Sequence, residues 1–346
     1  MFTSKKHDIN PFLGYLKEWV DQFNIKEESG YYSVELGDDS PSLYGICDTI
    51  FNLKITNLLD EYLAENPSEN IESWKSVIQS YQNPNTGWFK EGFLNYGLHF
   101  KEHSSAFITA ALRLIGAEPE HSFKIREKLR TKKKVFKWLK KGPEWGLLYW
   151  PGSHRGGGIA AIFASLGSGS YPDPDFFEWY FEWLDQHADS EVGFWRLGWI
   201  HKLIGDRLTK NELGGAVHYY WIYKFLDHPI PYPRKVIDST LILQNDWGTW
   251  DTPESYCIDL DGIFCLLRCA EQLNGYRKED IERAIEKYLS YVIPNMNKKE
   301  YFFKHYKNTH KLTGYLCALA EINKYYPALI QSDKPLTQTL DITPWI

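Results

Sequence analysis

The feature that most constrains this 346-residue chain is a recurrence at steps of about fifty residues, the scale of a helical-hairpin repeat. In each unit an amphipathic, aromatic-rich segment leads through a turn to an apolar segment rich in Ala, Gly or Cys. ESWKSVIQSY, NPNTGWF and EHSSAFITAALRLIG make one such unit, and VFKWLKKGPEWG with HRGGGIAAIFASLG makes the next. FFEWYFEWLDQ, ADSEVGFW and GGAVHYYWIYKFL follow, then VIDSTLILQNDWGTWD with YCIDLDGIFCLLRCAEQL, then AIEKYLSYVI with THKLTGYLCALAEI. The first unit pairs an amphipathic stretch from Pro11 to Phe23 with SLYGICDTIFNLKI. Apolar segments therefore begin near Asp48, Ser104, Gly157, His218, Asp261 and Thr313. A helix that is apolar almost all round packs on both sides, whereas an amphipathic one covers it from outside. Six such hairpins predict an all-α (α/α)6 barrel, or toroid. It forms one domain over 1–346, with an N-terminal arm and helix at 1–30 and a polar, Pro-punctuated tail at 329–346 lying over the surface.

Composition narrows the function classes. Hydrophobic residues make up 43% and charged ones 24%, enough for a large core. The net charge of −6 argues against a nucleic-acid binder. Five scattered cysteines without a CxxC pair read as free thiols in a reducing compartment. No apolar run approaches a membrane span, and the N-terminus lacks a signal-like apolar run, so the expectation is a cytoplasmic protein. The 14 Trp and 23 Tyr exceed what a core requires and suit an aromatic-lined cavity. The one strongly basic stretch, 124–141, reads as a solvated helix face. Its Val135, Phe136, Trp138 and Leu139 also allow peripheral contact with an anionic membrane. Oligomeric state is not legible.

The stretch from Trp247 to Cys269 carries the sharpest chemical signal. Asp259 and Asp261 stand at the start of an apolar helix, where the positive end of the helix dipole favours carboxylates. N-capping alone also explains an Asp there. Asp48-Thr-Ile-Phe in the first unit superposes on Asp261-Gly-Ile-Phe in the fifth.

The turns Tyr81-Gln-Asn-Pro-Asn-Thr-Gly-Trp88 and Leu243-Gln-Asn-Asp-Trp-Gly-Thr-Trp250 resemble the QW-type repeats of terpenoid cyclases (the squalene–hopene type) and protein prenyltransferase β subunits. Asp189-Ser-Glu-Val-Gly-Phe-Trp195 is a weaker copy without the Gln. The resemblance implies the toroid fold and an isoprenoid substrate, with isomerase or transferase chemistry. Cation–π contacts with cavity aromatics would stabilise carbocations. Asp259-Leu-Asp261-Gly262 keeps two aspartates of the cyclase acid motif and lacks the last. By that resemblance Asp261 is the general acid and Asp259 its support. Cys257, Asp259 and His310 are the nearest counterparts of the prenyltransferase zinc ligands, but their spacing departs from that pattern. Zinc is therefore not expected, no residue is assigned as a metal ligand, and Mg²⁺ is the ion compatible with a diphosphate substrate.

Gly87-Trp88 followed by Glu102-His-Ser-Ser-Ala-Phe resembles the unsaturated glucuronyl hydrolases, which are also (α/α)6 barrels. This second resemblance implies a glycoside hydrolase or polysaccharide lyase. Asp261 or Asp48 would then be the acid/base, His103 and His218 would bind substrate, and Trp88, Trp195 or Trp250 would serve as a sugar platform. In either case the inner-helix starts gather Asp48, Glu102, His103, His154, Arg155, His218, Tyr219, Asp259, Asp261 and His310 at one mouth. Histidine and tuned carboxylates suit acid/base chemistry there. Arg155 with Gly156 to Gly158 fits an anion cradle at a helix start or, equally, close helix packing.

Overall fold

A computed structural model describes residues 6–25, 28–91, 99–142, 145, 149–197 and 207–346. Among the described residues the chain is all-α, with fourteen α-helices and 60% helix. They are α1 (Asn10–Asp21), α2 (Leu43–Ile55), α3 (Leu59–Glu65), α4 (Ile71–Ser80), α5 (Lys101–Leu114), α6 (Lys132–Lys140) and α7 (Tyr149–Leu166). There follow α8 (Phe176–His187), α9 (Lys210–Phe225), α10 (Pro233–Leu243), α11 (Cys257–Glu271), α12 (Lys278–Met296), α13 (Lys299–His305) and α14 (Thr309–Tyr325). The described strands are β1 (His7–Asp8) and β2 (Ile330–Gln331), which pair in parallel and tie the two ends of the chain together.

The two helix classes expected from the sequence differ in burial. Every residue of α2 except Lys54 is buried, whereas α4 buries only Trp74 and Ile78, and α6 only Val135 and Leu139. Those outer pairs sit four residues apart, the spacing of one helix stripe. Trp138 of the basic stretch stacks near Tyr180 and Phe176. The buried helices pack in succession: α2 on α5, α5 on α7, α7 on α9, α9 on α11, α11 on α14, and α14 on α2. Small residues permit the closeness. A Cβ on Gly158 of α7 would lie 2.6 Å from the Glu102 carbonyl oxygen of α5, and one on Gly215 of α9 would lie 2.5 Å from that of Tyr149.

The repeated Gln-to-Gly turns act as clamps. Gln82 Nε2 donates to the Gly87 carbonyl at 2.8 Å and to the His121 carbonyl at 2.7 Å. Gln244 Nε2 does the same with Gly248 at 2.7 Å and Ala284 at 2.9 Å. Each amide thus closes its own turn and bonds the next unit. Gly87 and Gly248 have φ of 81° and 115°, a region that only glycine enters freely. Trp250 after the Gln244 turn, and Trp195 after the turn that lacks the Gln, cap their own outer helices, their Nε1–H groups donating to the Thr240 and Leu184 carbonyls, each at 2.9 Å.

Three details differ from the sequence expectation. The inner helices start earlier than their apolar cores suggest. Their caps are polar and precede the apolar run, as with Thr209, which forms a capping box with Glu212, and Asn308, which accepts from Lys311 N–H. Gly156 to Gly158 consequently lie inside α7, where their N–H groups belong to the helix and make no anion cradle at a terminus. The tail does not lie over the surface. Leu340, Trp345 and Ile346 are buried, with the Trp345 ring 4.6 Å from that of His218, because its few apolar side chains turn inward.

Candidate functional site

Because the inner helices start early, the polar residues expected at their beginnings lie within their first three turns. His103 is the third residue of α5, Asp48 the sixth of α2, and His154 the sixth of α7. His218 is the ninth of α9, Asp261 the fifth of α11, and His310 the second of α14. Successive packing of these helices brings their imidazoles together. The His103 ring lies 4.4 Å from that of His154, 5.8 Å from that of His218 and 6.3 Å from that of His310. His99, which the sequence reading missed, stacks on His103 at 4.2 Å. Its signal was present as His99-Phe-Lys-Glu-His103, a four-residue spacing that places both rings on one side of a helix start.

These side chains border a cavity of about 340 Å³, lined also by Trp150, Trp221, Tyr256, Cys257, Asp261 and Ile346. A second cavity of about 400 Å³ contains Lys224, Arg268 and Lys324. Each of those cations is already paired, with Glu271, Glu321 and Asp341 respectively. The charges of the second cavity are thus committed to structure, and the histidine cavity is the better candidate.

Hydrogen bonds fix which nitrogen three of the histidines present. The Tyr44 hydroxyl donates to Ser104 Oγ at 3.2 Å, so it accepts from His103 Nδ1–H at 3.0 Å. The Ser153 hydroxyl donates to the Trp150 carbonyl at 2.6 Å, so it accepts from His218 Nδ1–H at 2.7 Å. Asp48 Oδ1 accepts from His310 Nδ1–H at 2.9 Å, while its carboxylate also receives the hydroxyls of Thr309 and Thr313, each at 2.9 Å. All three rings are left with an Nε2 lone pair. His154 Nδ1 is buried without a hydrogen-bond partner among the described residues.

Burial keeps four of the imidazoles and one carboxyl uncharged. Burial, reinforced by neighbouring imidazoles, lowers His99 to about 3 and holds His103 and His154 well below the usual histidine range. Burial alone lowers His218 to about 3. Burial also raises the Asp261 carboxyl well above the usual range, with the Asp259 charge adding to it, and Asp261 Oδ1 has no partner among the described residues. At neutral pH His99, His103, His154 and His218 are therefore neutral imidazoles and the Asp261 carboxyl is neutral.

The other sequence candidates have different surroundings. Asp259 is buried outside the cavity lining and accepts from the N–H groups of Trp250 at 2.7 Å and Tyr256 at 3.3 Å. Burial raises it to about 7 against those donors. Tyr219 packs between Trp145 and Trp195, both 5.3 Å away. Trp88 carries the Lys101 ammonium 5.6 Å from its ring, and the Arg155 guanidinium lies 5.1 Å over Trp138. Trp88, Trp195, Tyr219, Trp250, Arg155 and Glu102 are thus not in the cavity lining, and Glu102 pairs with Lys101 at 2.9 Å. Among the described residues, Cys257, Asp259 and His310 do not form a ligand-spaced group. Two histidine triads do: His99, His103 and His310, and His103, His154 and His218.

The chain matches no family model, and comparisons with curated proteins and with solved structures return no match. No described helix is long and apolar enough to cross a membrane. The chemical reading therefore rests on the site itself. It offers an apolar, aromatic-walled space, a neutral carboxyl able to give a proton, and a set of imidazole lone pairs.

Proposed function

We propose that the chain is an enzyme acting on an apolar, isoprenoid-type small molecule at the centre of an (α/α)6 toroid. The return of the inner-helix succession from α14 to α2 supports the toroid. One observation carries the substrate reading: Asp261, a buried neutral carboxyl with one oxygen unpartnered among the described residues, borders a cavity walled by Trp150, Trp221 and Tyr256. A carboxylic acid kept protonated in an apolar site can deliver its proton to an alkene, and aromatic faces stabilise the cation that results. Asp261 is the proton donor in this reading, and Asp259 serves by holding the turn at Trp250 in place.

A second reading, a carbohydrate hydrolase or lyase, draws on the meeting of Asp48 and His310 with His103 and His218, which would supply acid/base and hydroxyl-binding groups. The deciding experiment incubates the protein with squalene, with prenyl diphosphates plus Mg²⁺, and with unsaturated uronic-acid oligosaccharides, followed by product analysis. Turnover of an isoprenoid that falls about 10²-fold or more in Asp261→Asn, with the fold intact, supports the first reading. Turnover of the sugar alone replaces it with the second.

A further inference from the structure

The histidine cluster is more elaborate than acid chemistry on an alkene requires. Five imidazoles in one apolar cavity would be a costly way to fill space, since each buried ring nitrogen needs a partner. The cluster instead has the layout of a coordination sphere. Three of its rings have Nδ1–H tied back to Tyr44, Ser153 and Asp48, leaving Nε2 lone pairs. Such outer hydrogen bonds to the far nitrogen are what hold a ligating histidine in its tautomer and orientation. In each triad one ring nitrogen of every histidine lies within 4.8 Å of the others, close enough to contract around one ion.

We propose that this cluster binds one divalent first-row transition-metal ion per chain, with His103 as the ligand common to both triads. The count follows from the hydrogen bonds. His103 Nδ1–H is occupied by Tyr44, so its single remaining lone pair serves one ion, and the two triads are alternative or combined halves of one sphere. Neutral nitrogen donors select a zinc-, nickel- or iron-class ion over Mg²⁺, which demands oxygen ligands. Three imidazoles leave positions open to water or substrate, as catalytic rather than structural sites do. The bound ion would supply Lewis acidity at the cavity wall. The site differs from the Cys257, Asp259 and His310 trio, whose spacing in the sequence already argued against a metal, and it stands whichever substrate the cavity takes.

The test uses the full chain, stripped with a chelator and titrated with Co²⁺ as a visible probe, with Zn²⁺ competing. One equivalent is expected, with absorption bands of a four- or five-coordinate nitrogen site and a rise in melting temperature. His103→Ala should abolish the bands, and His154→Gln with His310→Gln should do so as a pair. His228→Gln, which alters a histidine paired with Asp185 away from the cavity, should keep them. Circular dichroism establishes that each variant is folded, and the His154/His310 pair decides the matter if His103→Ala is not. Absence of Co²⁺ uptake by the parent protein, uptake undiminished in the cluster variants, or two equivalents per chain would overturn the assignment. None of these readouts needs a substrate, so failure of the isoprenoid reading and failure of the metal site remain distinguishable.

Discussion

Asp48 Oδ1 lies 2.9 Å from His310 Nδ1, and this bond joins α2 to α14, the first and last of the buried helices. The same carboxylate gathers the Thr309 and Thr313 hydroxyls, so it orients a whole helix turn along with one ring. Asp48→Asn keeps an acceptor of the same size but weakens the hold on His310. The expected result is a stability loss of about 1 kcal/mol and a Co²⁺ affinity lower by about 10–100-fold. Denaturant unfolding and Co²⁺ titration measure the two effects separately.

In the metal-free protein the buried imidazoles contribute stability that is lost in mild acid. His99 and His218 titrate at about 3 in the folded chain and near 6.5 when unfolded, so the unfolded state binds more protons in that interval. Stability is then complete above the unfolded value and is lost as pH falls towards the folded one. Each such histidine contributes a slope of about 1.4 kcal/mol per pH unit inside the window. Asp259, raised to about 7, and Asp261 act in the opposite sense, since their raised values favour the protonated folded state. Burial raises Asp21, Glu91 and Glu321 as well, so the imidazole contribution is read by comparing variants and not from the net slope of the parent. Urea unfolding of the parent and of His218→Gln at pH 7 and pH 5 makes the comparison: on acidification the variant should lose less stability than the parent, by the contribution of one proton.

The buried pair of Arg268 and Glu321 ties α11 to α14, with a second bond from Nη2 at 2.9 Å. Glu321 has no exposed surface. Glu321→Ala strands a guanidinium inside the protein and should cost about 3 kcal/mol, the low end for a broken buried pair because Asp341 still accepts from Arg268. Replacing both partners with Arg268→Met and Glu321→Leu should recover most of that loss. Chemical denaturation of the two variants makes the comparison.

Two glycines should respond to alanine in opposite directions. Gly14 is exposed on α1 with nothing within 4 Å of an added Cβ, so Gly14→Ala should stabilise by about 0.5–1 kcal/mol. At Gly215 the added carbon meets the Tyr149 carbonyl oxygen, which is backbone and has nowhere to go. Gly215→Ala should therefore destabilise by about 1–3 kcal/mol or more. Melting temperatures of the two variants give the signs directly.

The helical class and its two kinds of helix were readable because burial imposes a pattern on each segment separately. Trp74 with Ile78, and Val135 with Leu139, mark outer stripes by spacing alone. The convergence of His103, His154, His218 and His310 was anticipated from their similar place in successive units. Their partners were not. Tyr44 lies 59 residues from His103, and Ser153 lies 65 from His218. Hydrogen bonds over such separations leave no periodic trace. Trp195 and Trp250 are expected at the site by residue type, yet an indole N–H serves equally well on a free helix carbonyl, and both do that. The inward course of Trp345 was hidden because one aromatic residue in a polar tail has the same composition inside or out.

The close approach of Gly158 to Glu102 and of Gly215 to Tyr149 has a further consequence. Where helices touch through main-chain atoms, the width of the space between them is set by peptide geometry, and exchanging side chains on the outer layer cannot tune it. The histidine cavity is bordered by helices held in this way, and its dimensions should persist through extensive surface divergence. Change in what the cavity accepts would have to come from the few side chains that face into it, chiefly Trp150, Trp221 and Tyr256.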